Sequence, residues 1–188
     1  MVTMAVLVAL SIALVWLVHF PIFPSAAFLE YDPADIPILV GAFAFGPVAG
    51  MVITVVASLI QGVTVSAQSG PYGIIMHVIA TGTYVLTAGT IYKMKKGPAS
   101  AADAVESSSG TAGAILAVVV GTLAMALVMC IANLIITPIF MGAPRAAVQA
   151  MLLPVILPFN LIKAGVNGAI TVLLYKYLPK YIESGTAA

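Results

Sequence analysis

Asn160, Lys163, Asn167 and Thr171 recur at i, i+3, i+7 and i+11, the spacing that places four side chains on one face of an α-helix. Their surroundings are apolar, and Lys163 precedes Lys176 by about 20 Å of helix rise. If the helix lies in a bilayer, the ammonium sits deep in it, at a cost of at least ~2.5 kcal/mol at the centre on insertion scales. Such a residue either serves a function or extends its stem to reach the interface. Pro158, just upstream, cannot donate to the carbonyl of Pro154, so the helix start is expected to be kinked. Asn133, in the run CIANLIITPIF, is another amide at membrane depth. Alone it reads as an interhelical hydrogen bond of ~0.6 to 2 kcal/mol. With Asn160 and Lys163 it outlines a pocket offering donors and acceptors to a polar, uncharged or weakly anionic solute.

The other concentration of chemistry is FLEYDPADIP, residues 28–37, which holds Glu30, Asp32 and Asp35, half of the chain's 6 acidic residues. Asp32-Pro33 has the form of a helix N-cap followed by proline at the first helical position, and Asp35 would follow at N3 or be the cap itself. Glu30 and Tyr31 are not explained by capping, and Phe28-Leu29 are apolar residues on a loop, which suggests a lid. Apart from Asp35 at the start of the second piece, no Asp or Glu falls inside an expected span, which disfavours autonomous ion coupling, and no GxxxxGK[ST] loop is present to hold a nucleotide. Metal-ligand spacing and a nucleophile-base constellation are also lacking, so no enzymatic activity and no cofactor are expected. Cys130 stands alone in an apolar run and reads as a small buried residue. His77, Thr81 and Tyr84 share a helical face, where His77 reads as a buried, hydrogen-bonded histidine.

The elements carrying these residues belong in a membrane. The 188 residues are 62% hydrophobic and 7% charged, with a mean hydropathy of +1.18, whereas soluble domains carry about 25% charged residues. Neither 36–92 nor 111–144 contains Asp, Glu, Lys or Arg, and both exceed the roughly 20 residues of one spanning helix. Turn residues divide the chain into a single all-α integral membrane domain of six transmembrane helices, at about 2–20, 35–45, 47–65, 72–92, 112–140 and 147–178. The second is short, its 11 residues reaching only about 16 Å. Residues 97–110, GPASAADAVESSSG, read as a flexible linker. The apolar N-terminal run lacks a preceding Lys or Arg and is long for a leader, so it reads as a retained helix. Lys93, Lys95 and Lys96 fall on the same side as Lys176 and Lys180, which makes both termini cytoplasmic and the acidic loop extracellular. If the second piece does not cross, that loop moves to the cytoplasmic side. Ala5, Ala9 and Ala13 form a smooth ridge suited either to internal packing or to docking a separate membrane subunit.

The runs YDPADIPILVGAFAFGPVAG, ANLIITPIF and PFNLIKAG, with the order of the hydrophobic pieces, resemble the riboflavin-specific substrate-binding (S) components of energy-coupling factor (ECF) vitamin transporters. The resemblance implies a six-helix S-component fold in a prokaryotic plasma membrane, capturing riboflavin outside. It implies Leu29, Glu30 and Tyr31 as loop contacts and Asn133, Asn160 and Lys163 as polar partners of the flavin. It also implies a membrane coupling subunit that docks on Ala5, Ala9 and Ala13, and two ATPases that drive release. Lys163 is then expected to bond ligand oxygens, or to be held by carbonyls freed near Pro158. Other readings are an S component for thiamine or pantothenate, a stand-alone secondary carrier, and a membrane scaffold.

Overall fold

The computed structural model describes residues 1–96 and 108–177. Helix α1, Val2–Leu17, ends where Val18 turns extended, because Pro21 ahead disfavours helical backbone at Phe20. Phe20–Pro21 (β1) then pairs antiparallel with Glu30–Tyr31 (β2), Phe20 opposite Tyr31. This ribbon closes the acidic loop on itself.

Helix α2, Asp35–Phe45, is buried at every position from Asp35 to Phe43. A helix apolar all round has no outward face and must be enclosed, and α1, α3, α4 and the C-terminal helix surround it. Gly46, at φ +96, breaks the chain between α2 and α3 in a conformation that a side chain would strain, and Pro47 starts α3, Pro47–Val63. Helix α3 buries Ile53, Thr54, Ala57, Ser58 and Gln61 on one face. Helix α4, Gly70–Lys96, packs against α3 and α5, Ser108–Met141. A short helix α6, Arg145–Met151, continues through a π-turn, Leu152–Ile156, into α7, Leu157–Tyr177. The expected irregularity is this widened turn: Pro154 lies in it and Pro158 just past it, and neither can donate to a helical ladder. Of the linker expected over 97–110, residues 97–107 lie outside the described residues, and 108–110 open α5. The end of the sixth piece at 178 lies outside them as well.

Among the described residues, three helical stretches are long and apolar enough to cross a membrane, Ala67–Lys95, Gly110–Met141 and Arg145–Tyr175, alongside shorter apolar helices Val2–Leu17, Asp35–Phe45 and Pro47–Val63. The outward residues fit lipid, since Val119, Leu123, Leu127, Ile131, Ile135 and Ile139 of α5 are all exposed at four-residue steps. In water that stripe would be an aggregation face. Inside, Tyr84 donates to the Ala164 carbonyl at 2.8 Å. This α4–α7 contact needs Gly168, where an added Cβ would lie 2.2 Å from the tyrosine oxygen. A second apolar cluster joins Ala26 and Leu29 of the loop to Val148, Ile156 and Phe159. The loop is therefore packed down on the α6–α7 junction.

Candidate functional site

Three hydrogen bonds fasten the loop to the polar stripe of α7. Lys163 Nζ donates to Asp32 Oδ2 at 2.6 Å. Asn167 Nδ2 donates to the Asp32 carbonyl at 2.9 Å, and Tyr31 Oη donates to Asn167 Oδ1 at 2.9 Å. The second oxygen of Asp32 accepts the Ala34 N–H at 3.0 Å, an Asx turn that holds the carboxylate toward α7. Burial opposes the charge on Asp32, but the Lys163 ammonium and this N–H outweigh it and hold the carboxyl below the usual range. Lys163 thus has a dedicated counter-ion in Asp32 rather than the freed carbonyls near Pro158.

The capping reading holds for Asp32, which takes the Ala34 N–H across Pro33 just ahead of α2, whereas Asp35 is not the cap: it is the first residue of the regular helix, fully buried, and its carboxyl is used elsewhere. Asp35 Oδ1 accepts from Thr81 Oγ1 at 2.6 Å and Oδ2 from Asn167 Nδ2 at 3.1 Å. A carboxylate therefore does lie among the helices, held by α4 and α7. Its network continues to His77, whose Nε2 is 4.0 Å from Asp35 Oδ1. Ser58 spends its one proton on the Thr54 carbonyl at 2.6 Å, so His77 Nδ1, 2.7 Å from Ser58 Oγ, is the donor there. The histidine is hydrogen-bonded and partly buried. On the other side of α2, Ser11 donates to the Ala34 carbonyl at 3.1 Å and accepts from Gln61 Nε2 at 3.3 Å.

Above this network is a cavity of about 170 Å³, lined by the loop, the end of α3, the start of α4, the second half of α5 and the start of α7. Its walls are largely apolar and aromatic, with Phe28, Tyr72, Phe140 and Phe159 among them. Flat walls with a few polar groups are the usual composition of a small-molecule site. Leu29, Glu30, Asn133, Asn160 and Lys163 all line it. Tyr31 does not: its ring packs on Phe20, with centroids 5.4 Å apart, and its hydroxyl is used on Asn167. Asn133 donates to Met129 O at 2.8 Å and accepts from Thr137 Oγ1 at 2.8 Å. Asn160 donates to Ile156 O at 2.8 Å. Each amide keeps one N–H, and Asn160 its oxygen, for whatever enters. The α3 residues Ser58 and Gln61 also reach the cavity, a contribution the sequence did not announce. Ala5, Ala9 and Ala13 are not part of its lining and lie on the exposed side of α1. No group of three or more His, Cys, Asp or Glu that could hold a metal occurs among the described residues.

Comparison with known proteins bears on this site. Residues 1–175 match the family described as ECF transporter, substrate-specific component. Riboflavin transporter RibU of Staphylococcus aureus (strain TCH60) is 27% identical over 189 residues, spanning 97% of this chain and 92% of the relative. Riboflavin transporter FmnP of Bacillus subtilis (strain 168) is 28% identical over 187 residues, 95% of this chain and 92% of the relative. A solved structure described as the S component of a bacterial ECF transporter superposes with a TM-score of 0.74 at 29% identity, over 96% of this chain and 95% of that one.

Proposed function

The chain belongs to the family of ECF transporter substrate-specific components, and from that premise we propose that it is the riboflavin-binding membrane subunit of an ECF-type importer. The observation that carries this reading is the cavity, where apolar and aromatic walls meet the spare amide valences of Asn133 and Asn160. Riboflavin has a flat, largely apolar ring system with carbonyls, an imide N–H and ribityl hydroxyls. Each of those polar groups would cost ~1 to 3 kcal/mol if buried unpaired. Two relatives that span nearly the whole chain are named as riboflavin transporters, which favours this vitamin over thiamine or pantothenate.

In this reading Leu29 and Glu30 cover the flavin from the loop, Asn133 and Asn160 bond its polar edge, and Lys163 acts with Asp32 to hold the loop closed. Tyr31 supports the loop from behind through Asn167 rather than touching the ligand. The six apolar pieces cross the plasma membrane, with α2 as a short enclosed span. The cavity lies at the end of α4 opposite Lys93 and Lys95, about 24 Å of helix rise from His77. With those lysines cytoplasmic, the cavity opens outside and both termini lie inside. The exposed ridge of Ala5, Ala9 and Ala13 offers a close-approach face to a membrane coupling subunit, which two ATPases would drive.

Vesicles containing only this chain test the subunit reading. Riboflavin should bind to them without accumulating, with or without a proton gradient. Gradient-driven accumulation with neither partner nor ATP present would establish a stand-alone carrier instead.

A further inference from the structure

The polar stripe of α7 is buried, and the opposite side of the same helix forms a groove with α5. Ile115, Val119 and Leu123 of α5 and Gly165, Ala169 and Leu173 of α7 line this groove, whose volume is about 470 Å³. Two contacts inside the bundle fix the helix spacing that keeps it open. Tyr84 bridges from α4 to the Ala164 carbonyl, and Gly168 meets Val118 so closely that an added Cβ would lie 2.3 Å from Val118 Cγ1. Gly165 is the reverse case, since a Cβ there would meet no atom within 4 Å. The helices therefore cannot close over this notch, and its walls lose dispersion contacts unless another molecule supplies them. Water is a poor filler, because Thr122, the one polar side chain in the described lining, already donates to Tyr84 Oη at 3.4 Å.

We propose that the α5–α7 groove is a phospholipid site, holding one acyl chain of an anionic lipid whose phosphate faces the lysines at the end of the bundle. Length supports a chain, since Gly165 to Leu173 spans about 12 Å of helix rise, close to the ~15 Å that one leaflet contributes to a ~30 Å hydrocarbon core. Volume disfavours a helix, which at about 10–12 Å across would displace roughly 1,000 Å³ over the same length and ride on the rim. Charge selects the headgroup. The groove ends at Ile115 and Leu173, where the Lys95 stem packs on Gly113, exposed Lys93 lies on the same last turns of α4, and Lys176 follows Leu173 by three positions. Basic residues beside a cleft between membrane helices are recurrent partners of anionic headgroups. The site is separate from the vitamin cavity, with which it shares no described lining residue.

The test places the full-length chain in nanodiscs of phosphatidylethanolamine and phosphatidylglycerol, with a small share of lipid carrying a diazirine midway along one acyl chain. Irradiation followed by peptide mass mapping locates where that acyl chain is held. The reference is Val48 and Val52, exposed on α3, whose start packs against Gly89 toward the lysine end of α4. With the label on phosphatidylglycerol, groove residues should be labelled about fivefold more than this reference, and with the label on phosphatidylcholine the excess should fall by about threefold. Gly165→Leu fills the notch with a better helix former and should remove the excess while leaving circular dichroism unchanged. Ala169→Leu, at an exposed position four residues on, should do the same and keeps the proposal testable if the first variant fails to fold. Equal labelling of groove and reference overturns the proposal, as does an excess that is the same for both headgroups or that survives both substitutions. Labelling of the groove below the reference also overturns it, by showing a helix of a second copy seated there instead.

Discussion

Asp32→Ala is expected to destabilise the protein by about 3 kcal/mol, because it strands the Lys163 ammonium in a wall where almost no solvent reaches it. The comparison that isolates the cause is Asp32→Ala with Lys163→Met. Removing both charges leaves nothing unpaired, and replacement of a whole buried pair by apolar groups is often close to neutral. The double variant should therefore recover at least half of the loss, a coupling that a double-mutant cycle reads directly. Chemical denaturation in detergent, followed by tryptophan fluorescence or circular dichroism, supplies the free energies. If Asp32→Ala is as stable as the wild type, or if the two substitutions simply add, the ion pair does not hold the loop. Removal of Asp32 also frees the Ala34 N–H. Asp32→Asn keeps that bond and should fall between the single alanine variant and the wild type.

Replacing Asn160 by Ala and Lys163 by Leu together is expected to weaken riboflavin binding by about tenfold or more, at least ~1.4 kcal/mol. Asn160 contributes its oxygen and one N–H, and a ligand group left facing the alanine would lose its partner inside the cavity, at ~1 to 3 kcal/mol. Lys163→Leu acts differently. It leaves Asp32 without its counter-ion and loosens the loop that carries Leu29 and Glu30. The two effects separate kinetically, since loosening the loop should raise the rate of ligand loss more than it slows capture. Titrations and stopped-flow dissociation on the single and double variants provide both numbers. Unchanged affinity in the double variant would move the binding site away from this cavity.

The helical architecture was readable because its signals are local. Gly46-Pro47 and the apolar runs around it mark the boundary between α2 and α3, and the run of enclosed residues in α2 matches a helix apolar on every side. The stripe from Asn160 to Thr171 was visible from its spacing, and all four members are buried. What those side chains hold was not visible. Lys163 and Asp32 are separated by 131 residues, and Asp35 reaches Asn167 across 132. Asp-Pro before a helix satisfies a local capping rule equally well whether or not a distant lysine claims the carboxylate. One signal was available: a lone lysine deep in a helix needs a counter-charge, and half of the chain's few acids lie within residues 30–35. Tyr31, expected as a loop contact, lies outside the cavity lining for a related reason, because the short β1–β2 ribbon fixes which face of the loop turns toward the cavity. Two paired residues on each strand leave almost no sequence periodicity to read. The inward reach of Ser58 and Gln61 depends on where α3 stops beside α4, which is again a tertiary matter.

The most direct test of the central claim is a titration of the purified chain, without partners, against riboflavin while flavin emission is monitored. Stacking against the aromatic and apolar walls should quench that emission along a saturable curve that ends at one flavin per chain. A linear response with no saturation, or a curve that free thiamine or pantothenate shifts as effectively as unlabelled riboflavin, would contradict the assignment of this cavity to riboflavin.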